Sequence, residues 1–471
     1  MVKFSIISRE ALLNNKNERT AFISSAIFHG TLLFVLALVV ETSGYGSKVN
    51  YLTLSSAVEQ PLEEAETSAF VIEKNRLDGE ALELESEHDV PTIDAPNENN
   101  NEANSRATTS TLRKQSNWLV ANDANVLGGL QGRGGEARTA LVRARGGSRE
   151  SEAAVERGLK WLLAQQQADG GWDFALKGNV RNPGKVPTRT GATALAMLPF
   201  LGAGHTHLDG DFQEAMREGF YYLGNNAIVG ERGADLQQGT MYAQGIATIA
   251  LCEAYAMTED PALKDLAQRA IDFIVYAQNK NGGWRYSPGE PGDMTVTGWQ
   301  LMALKSGQMA NLNVPSPTIF QVKEFLGSVQ SDGGAQYGYL TPAPRRSTTA
   351  IGLLCRMYTG WPRNHPALGQ GVVYNLSEWG PSEEDIYYNY YATQVLCHWG
   401  GSEWDRWNVK MRDYLIMHQE QHGLEAGSWY FTGGHAETGG RLYVTAMAIM
   451  TLEVYYRYMP LYDKAAFSDG F

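Results

Sequence analysis

Four times in its last two thirds the chain repeats one phrase. A glutamine near the end of an apolar helical run is followed by Asp or Asn with glycines, then by an aromatic residue. The phrase reads Gln167-Ala168-Asp169-Gly170-Gly171-Trp172 and returns as Gln278-Asn279-Lys280-Asn281-Gly282-Gly283-Trp284. It is looser in Gln330-Ser331-Asp332-Gly333-Gly334 with Tyr337, and last comes Gln421-His422-Gly423 running on to Gly427-Ser428-Trp429. A repeat with a period of about fifty residues constrains architecture as no single motif does, because each unit must bury its apolar face against the next.

Glycine after a helix accepts positive φ and ends it, and Asp or Asn just before tolerates the same turn. The tryptophan re-enters the structure with a large apolar face and one N–H to satisfy. A glutamine amide at the helix end can bond orphan carbonyls or a neighbouring helix. The phrase is therefore a corner between two helices.

Around these corners the sequence divides into six pairs of helical runs from Ser151 onward. First members cover about 152–168, 211–226, 261–279, 316–330, 365–378 and 404–421; second members cover about 188–202, 238–257, 294–310, 346–359, 385–399 and 438–457. First members are amphipathic, with Val155, Leu159, Leu162 and Leu163 at helical spacing. Second members are more apolar and richer in small residues, as in Thr190 to Leu198. An outer ring of amphipathic helices around an inner, buried ring accounts for the difference. The expected fold is all-α, a single (α/α)6 toroid over 151–471, with the inner-helix starts converging on one face of a central hollow.

The N-terminal third reads differently. Residues 1–20 carry Lys3, Arg9, Lys16 and Arg19, and Ala21 to Val40 contain no charge. That length suits a membrane-spanning helix, and the basic flank puts residues 1–20 in the cytoplasm and the toroid outside it, in the periplasm. Between Glu41 and Arg106 there are fifteen acidic and four basic residues, most of the net charge of −13. With few aromatics and no lasting periodicity, this stretch is expected to be disordered. Residues 41–150 are thus read as a linker, acidic and then Gly/Arg-rich. Arg133, Arg138, Arg143 and Arg145 suit a solvated linker, or an arm clipped onto the domain, better than a nucleic-acid contact. Cys252, Cys355 and Cys397 each fall late in an apolar run, as packing residues rather than a disulfide or thiolate set.

The corners and the alternating helices resemble the squalene/oxidosqualene cyclase and prenyltransferase β-subunit superfamily, and the whole arrangement resembles membrane-anchored bacterial proteins with prenyltransferase and squalene oxidase repeats. Cyclases of this kind protonate an alkene with an Asp-x-Asp-Asp motif at an inner-helix start. The matching segment is Pro291-Gly292-Asp293-Met294-Thr295-Val296. Asp293 fits the first Asp, Thr295 stands where the resemblance implies the proton donor, and Val296 replaces the third Asp. An alcohol cannot protonate an alkene. Zinc-dependent prenyl transfer would need an Asp-x-Cys pair, which is absent, and His205-x-His207 is a weak metal signal. No metal and no cofactor are expected.

The candidate site is then polar and aromatic. Asp293, His435 and Glu437 are the candidate proton-transfer groups. Tyr242, Trp299, Arg346, Asp385, Tyr388 and Arg441 are the candidate ligand contacts, all near inner-helix starts. The reading preferred here is a membrane-anchored toroid, held through residues 21–40, that binds an apolar lipid, a peptide or an envelope partner. Two enzymatic alternatives stand beside it. One is a terpenoid cyclase-like isomerase or lyase with a non-standard acid. The other is a polysaccharide lyase or glycosidase using Asp293 with Asp385 or Glu437.

Overall fold

The computed structural model describes residues 130–433, 435–458 and 461–462. The expected anchor at 21–40 and the acidic stretch lie outside the described residues. Among the described residues no helix is long and apolar enough to cross a membrane.

An entry arm, α1 (Gly135–Ala144), precedes six helix pairs. The outer members are α2 (Arg149–Ala164), α4 (Gln213–Asn225), α6 (Pro261–Ala277), α8 (Ser316–Val329), α10 (Pro366–Gln370, running on through a π-helical stretch and Ser377–Trp379) and α12 (Gly401–Met417). The inner members are α3 (Arg189–Gly202), α5 (Met241–Thr258), α7 (Met294–Met309), α9 (Arg346–Tyr358), α11 (Ile386–Trp399) and α13 (Ala436–Leu452). A short α14 (Val454–Arg457) follows. Each inner helix touches the inner helix of the next pair, and α13 returns to α3, so the ring closes. The outer helices bury one stripe, as α2 does with Ala154, Val155, Leu159 and Leu162, while α3 is buried at every position from Thr190 to Gly202.

The corners repeat in atomic detail. The main-chain N–H of Trp172, Trp284, Tyr337 and Trp429 donates to Thr193, Thr297, Thr349 and Thr445 at 2.9, 3.0, 3.1 and 3.1 Å. Each threonine hydroxyl faces back to the same aromatic's carbonyl at 3.3 to 3.5 Å. The three indoles donate to the end of the preceding outer helix: Trp172 to Leu162, Trp284 to Ile274 and Trp429 to Leu415, at 2.7 to 2.8 Å. Gly170, Gly282 and Gly427 hold φ of +83°, +87° and +94°, and a Cβ on them would strike the backbone of Glu218, Gln321 and Arg157 in the next outer helix.

The amide that ties one pair to the next is Gln166, Gln278 or Gln419. Each Nε2 donates to a corner glycine and to the next outer helix, reaching Ala215, Thr318 and Ala154 at 2.8, 3.0 and 2.8 Å. In the first and last copies it is not the glutamine that the phrase singles out, Gln167 or Gln421, but a residue earlier in the chain. Gln419 bonds α2, so it closes the ring, and Arg157 grips its Oε1 at 2.6 and 2.8 Å.

The inner-helix ends are sealed by a buried ionic cluster. Arg133, from the stretch read as linker, donates to Glu253 at 2.9 Å, and Arg457 contacts Glu253 at 3.3 Å and Glu453 at 3.1 Å. Arg138 ties α1 to Glu152 and to the Ala203 carbonyl. The Gly/Arg-rich arm, in its described part, thus belongs to the fold as its seal.

Gln166→Ala removes two hydrogen bonds, to Gly170 O and Ala215 O, and is expected to cost about 2 kcal/mol, read from the urea midpoint, whereas Gln167→Ala stays within about 0.5 kcal/mol. The cluster also sets a pH dependence. Burial, against the attraction of Arg457, Arg138 and Arg133, pushes Glu453 from 4.5 up to about 8, and its Oε1 has no hydrogen-bond partner. A raised folded-state pKa adds stability below the unfolded value and loses it as pH rises to the folded one. Glu253 has the opposite sign: despite burial, Arg133 and Arg457 hold its pKa below the usual value. Glu453→Gln is therefore expected to gain on the parent protein in thermal midpoint between about pH 5 and pH 8. A pH-independent difference would refute it.

Candidate functional site

Five of the six inner helices, α3, α5, α7, α11 and α13, contribute residues near their starts to the lining of one cavity, and α9 contributes none. Thr188 and Thr240 line it and cap α3 and α5, with side chains accepting from Gly191 N and Tyr242 N. Asp293 and Asp385 cap α7 and α11 in the same way. The cavity encloses about 310 Å³, at the small end of ordinary ligand pockets. Leu195, Ala243, Ile246 and Trp299 form its apolar wall, and Tyr242, Tyr286, Tyr387 and Tyr443 bring hydroxyls. Phe174 and Val186, from the loop after the first corner, complete it beside His435 and Thr438. No Asp, Glu, Lys or Arg is among these lining residues.

Its floor is aromatic. Trp299 of α7 stacks on Tyr390 of α11 with centroids 6.0 Å apart and planes at 14°, and meets Tyr391 edge-on at 6.1 Å. These helices are not neighbours in the ring, so their contact fills the axis. The Trp299 indole donates to the Tyr387 hydroxyl at 3.0 Å.

Asp293 lies behind the cavity wall, not in it. Its Oδ1 accepts from Thr295 N, Val296 N and the Thr295 hydroxyl at 2.9, 2.8 and 2.7 Å. Its Oδ2 accepts from the Tyr339 hydroxyl at 3.0 Å, with Arg285 Nε at 3.9 Å. Burial pushes this carboxyl above its ordinary value, opposed by the hydrogen bonds it accepts. Two hydroxyl chains lead from it to the cavity: Thr295 to Tyr242 at 2.7 Å, and Tyr339 to Tyr286 at 2.8 Å. Burial also raises the Tyr242 phenol well above its usual value, as do Tyr387 and Asp293.

Of the other expected site residues, Tyr242, Trp299 and His435 line the cavity. The His435 ring stands edge-on to Tyr387 at 5.4 Å. Glu437 is exposed and outside the lining. Arg441 is buried and turned to the loop that roofs the cavity. It donates to Arg181 O, Asn182 Oδ1 and Ser428 Oγ at 3.1, 2.9 and 2.9 Å. Arg346 is exposed, 5.7 Å from the Trp379 ring. Asp385 accepts from Tyr388 N at 3.0 Å and from Ser347 Oγ at 2.8 Å, which joins the starts of α9 and α11. Tyr388 faces outward, bonding Gly380 O at 3.2 Å and meeting Trp407 edge-on. Its neighbour Tyr387 is the one in the cavity.

Tyr286, Tyr339 and Tyr443 were not legible as site residues. The first two lie in corner loops, and Tyr443 sits two turns into α13. Of the two histidines weighed for metal, His207 bonds Asp260 at 2.8 Å, which pins a loop to the start of α6. The three cysteines are buried and unlinked, and burial raises Cys355 to about 12.

Asp293→Ala strands three donors at the start of α7 and is expected to cost about 2–4 kcal/mol, measured by urea unfolding at pH 7. Asp293→Asn keeps an acceptor there and is expected to cost less than about 1 kcal/mol.

No family model matches the chain. A probable squalene–hopene cyclase of Sinorhizobium fredii is 26% identical over 220 residues, covering 40% of this chain and 31% of that relative. The chain thus spans less than a third of the length of the curated relative it matches. Among solved structures, a type II terpene cyclase from Scytonema aligns with a TM-score of 0.46 at 13% identity, over 65% of this chain and 97% of that one. An α-1,6-mannanase of a Salegentibacter aligns at 0.44 and 9% identity, over 65% and 99%. Scores of this size leave the assignment to the corners, the closed double ring and the sequence match. The corners and the closed double ring of helices are this chain's own geometry, and its sequence match is to a squalene–hopene cyclase over 40% of its length.

Proposed function

We propose that this toroid binds an apolar, uncharged lipid in the cavity at its inner-helix starts and does not cyclise it. The observation that carries this reading is the lining, which is aliphatic and aromatic, edged with hydroxyls and free of Asp, Glu, Lys and Arg. Burying apolar surface there stabilises a complex by about 25 cal/mol per Å², whereas a charged group would lose its hydration with no partner. The volume of about 310 Å³ suits a small lipid better than a peptide.

The cyclase alternative needs a strong acid at the cavity. The nearest carboxyl, Asp293, is held behind Thr295 and Tyr339, and a phenol or alcohol is too weak to protonate an alkene. The glycosidase alternative needs two carboxyls facing one substrate, and neither Asp385 nor Glu437 lines the cavity. The uncharged run 21–40 and the acidic stretch after it support a tether on the order of 60 Å long, from which the toroid meets lipids outside the cytoplasm.

The test uses the full-length protein and the neutral dye N-phenylnaphthylamine. Saturable fluorescence is expected, weakened at least ~10-fold by Ile246→Trp, which fills the cavity. The sugar α-1,6-mannotriose should not compete. Squalene should be recovered unchanged by gas chromatography; a cyclised product would overturn the non-catalytic reading.

A further inference from the structure

The buried Asp293 carboxylate decides which way the hydroxyls around it point. It faces main-chain N–H groups on one oxygen and Tyr339 and Arg285 on the other, so both oxygens meet donors. An ionised carboxylate only accepts. The Thr295 hydroxyl proton is therefore committed to Oδ1, and that of Tyr339 to Oδ2. With its proton committed, Thr295 can only accept from Tyr242, 2.7 Å away, and Tyr339 can only accept from Tyr286, 2.8 Å away. The Tyr242 proton thus points into the wall. What its oxygen presents to the cavity is a pair of lone pairs.

Tyr443 is the reverse. It lines the same cavity and is only 9% exposed, and its hydroxyl is buried with no hydrogen-bond partner among the described residues. A buried hydroxyl left unmade is costly, which makes this O–H a donor awaiting an acceptor. Tyr242 and Tyr443 line the same cavity, and burial, then Asp385, then Tyr242 raise the Tyr443 phenol above its usual value. Thr188 and Thr240 each use a lone pair on a helix N–H, and Tyr387 uses one on the Trp299 indole.

Resting on the apolar-cavity reading above, we infer that the ligand is an uncharged apolar alcohol whose oxygen accepts from Tyr443 and whose proton goes to Tyr242. An alcohol matches a donor and an acceptor together. A ketone or ether matches only Tyr443, a hydrocarbon matches neither, and a carboxylate meets the lone pairs of Tyr242 with no cation to offset its charge. Tyr443 is a specificity residue in this account, and Asp293 acts through Thr295 as a positioning residue that sets the polarity of Tyr242.

The experiment displaces N-phenylnaphthylamine from the full-length protein with dodecanol, methyl dodecyl ether, dodecane and dodecanoate. Dodecanol is expected to compete about fivefold better than the ether, and the ether better than dodecane. In Tyr443→Phe, dodecanol should weaken about fivefold and the ether should fall to the level of dodecane, each read relative to the dye affinity of that same variant. If Tyr443→Phe leaves dodecanol unaffected, or dodecanoate competes best, the alcohol inference is overturned while the cavity reading stands. Dye binding insensitive to Ile246→Trp would instead overturn the cavity reading, and this inference with it.

Discussion

A reciprocal hydrogen bond between each corner aromatic and a threonine of the following inner helix is the contact on which the rest of the toroid depends. Buried main-chain groups must be paired, and a corner that leaves one helix and enters another has few partners of its own. Thr193, Thr297, Thr349 and Thr445 supply both a lone pair and a proton to the same residue. The threonine side chain is stiff about χ1, so the bond fixes the direction of the inner helix as well as its depth. The indole fixes the outer helix, and Gln166, Gln278 or Gln419 fixes the next pair. Repetition of one local geometry then closes a ring that no single unit specifies.

Closure has two consequences at the two ends. Where the inner helices end, buried cations and carboxylates from the arm, α5 and the chain after α13 seal the ring. Where they begin, the caps converge around a cup whose floor is the Trp299–Tyr390 stack. Asp293 serves both fold and site: as a cap it pairs N–H groups at the buried start of α7, and as a buried anion it orders the hydroxyls that reach the cavity wall.

The helix pairs were legible because hydrophobic period and small-residue content survive in the sequence, and observed boundaries such as Arg189–Gly202 and Pro261–Ala277 fall within a few residues of the periodic runs. Single side chains were less legible. One residue along a helix is about 100° of rotation, which separates Tyr387 in the cavity from Tyr388 against Trp407. Beyond the end of α2 at Ala164 no helical period places a side chain, and it is Gln166, not Gln167 beside it, that reaches Ala215. Arg441 stands at an inner-helix start, yet its guanidinium serves the loop at Arg181 and Asn182, a partner more than 250 residues away in the chain.

By itself the sequence determined the all-helical class, the six pairs, the corners and that Thr295 and Val296, not carboxyls, follow Asp293. These are local matters of spacing, glycine placement and residue type. Tertiary structure decided the rest: which glutamine closes the ring, that the Arg-rich arm seals one end, and that Tyr286, Tyr339 and Tyr443 join the site. It also set the direction of the hydroxyl protons, since that direction follows from a carboxylate and donors brought together from α5, α7 and two corner loops, and no periodicity along the chain records such a meeting.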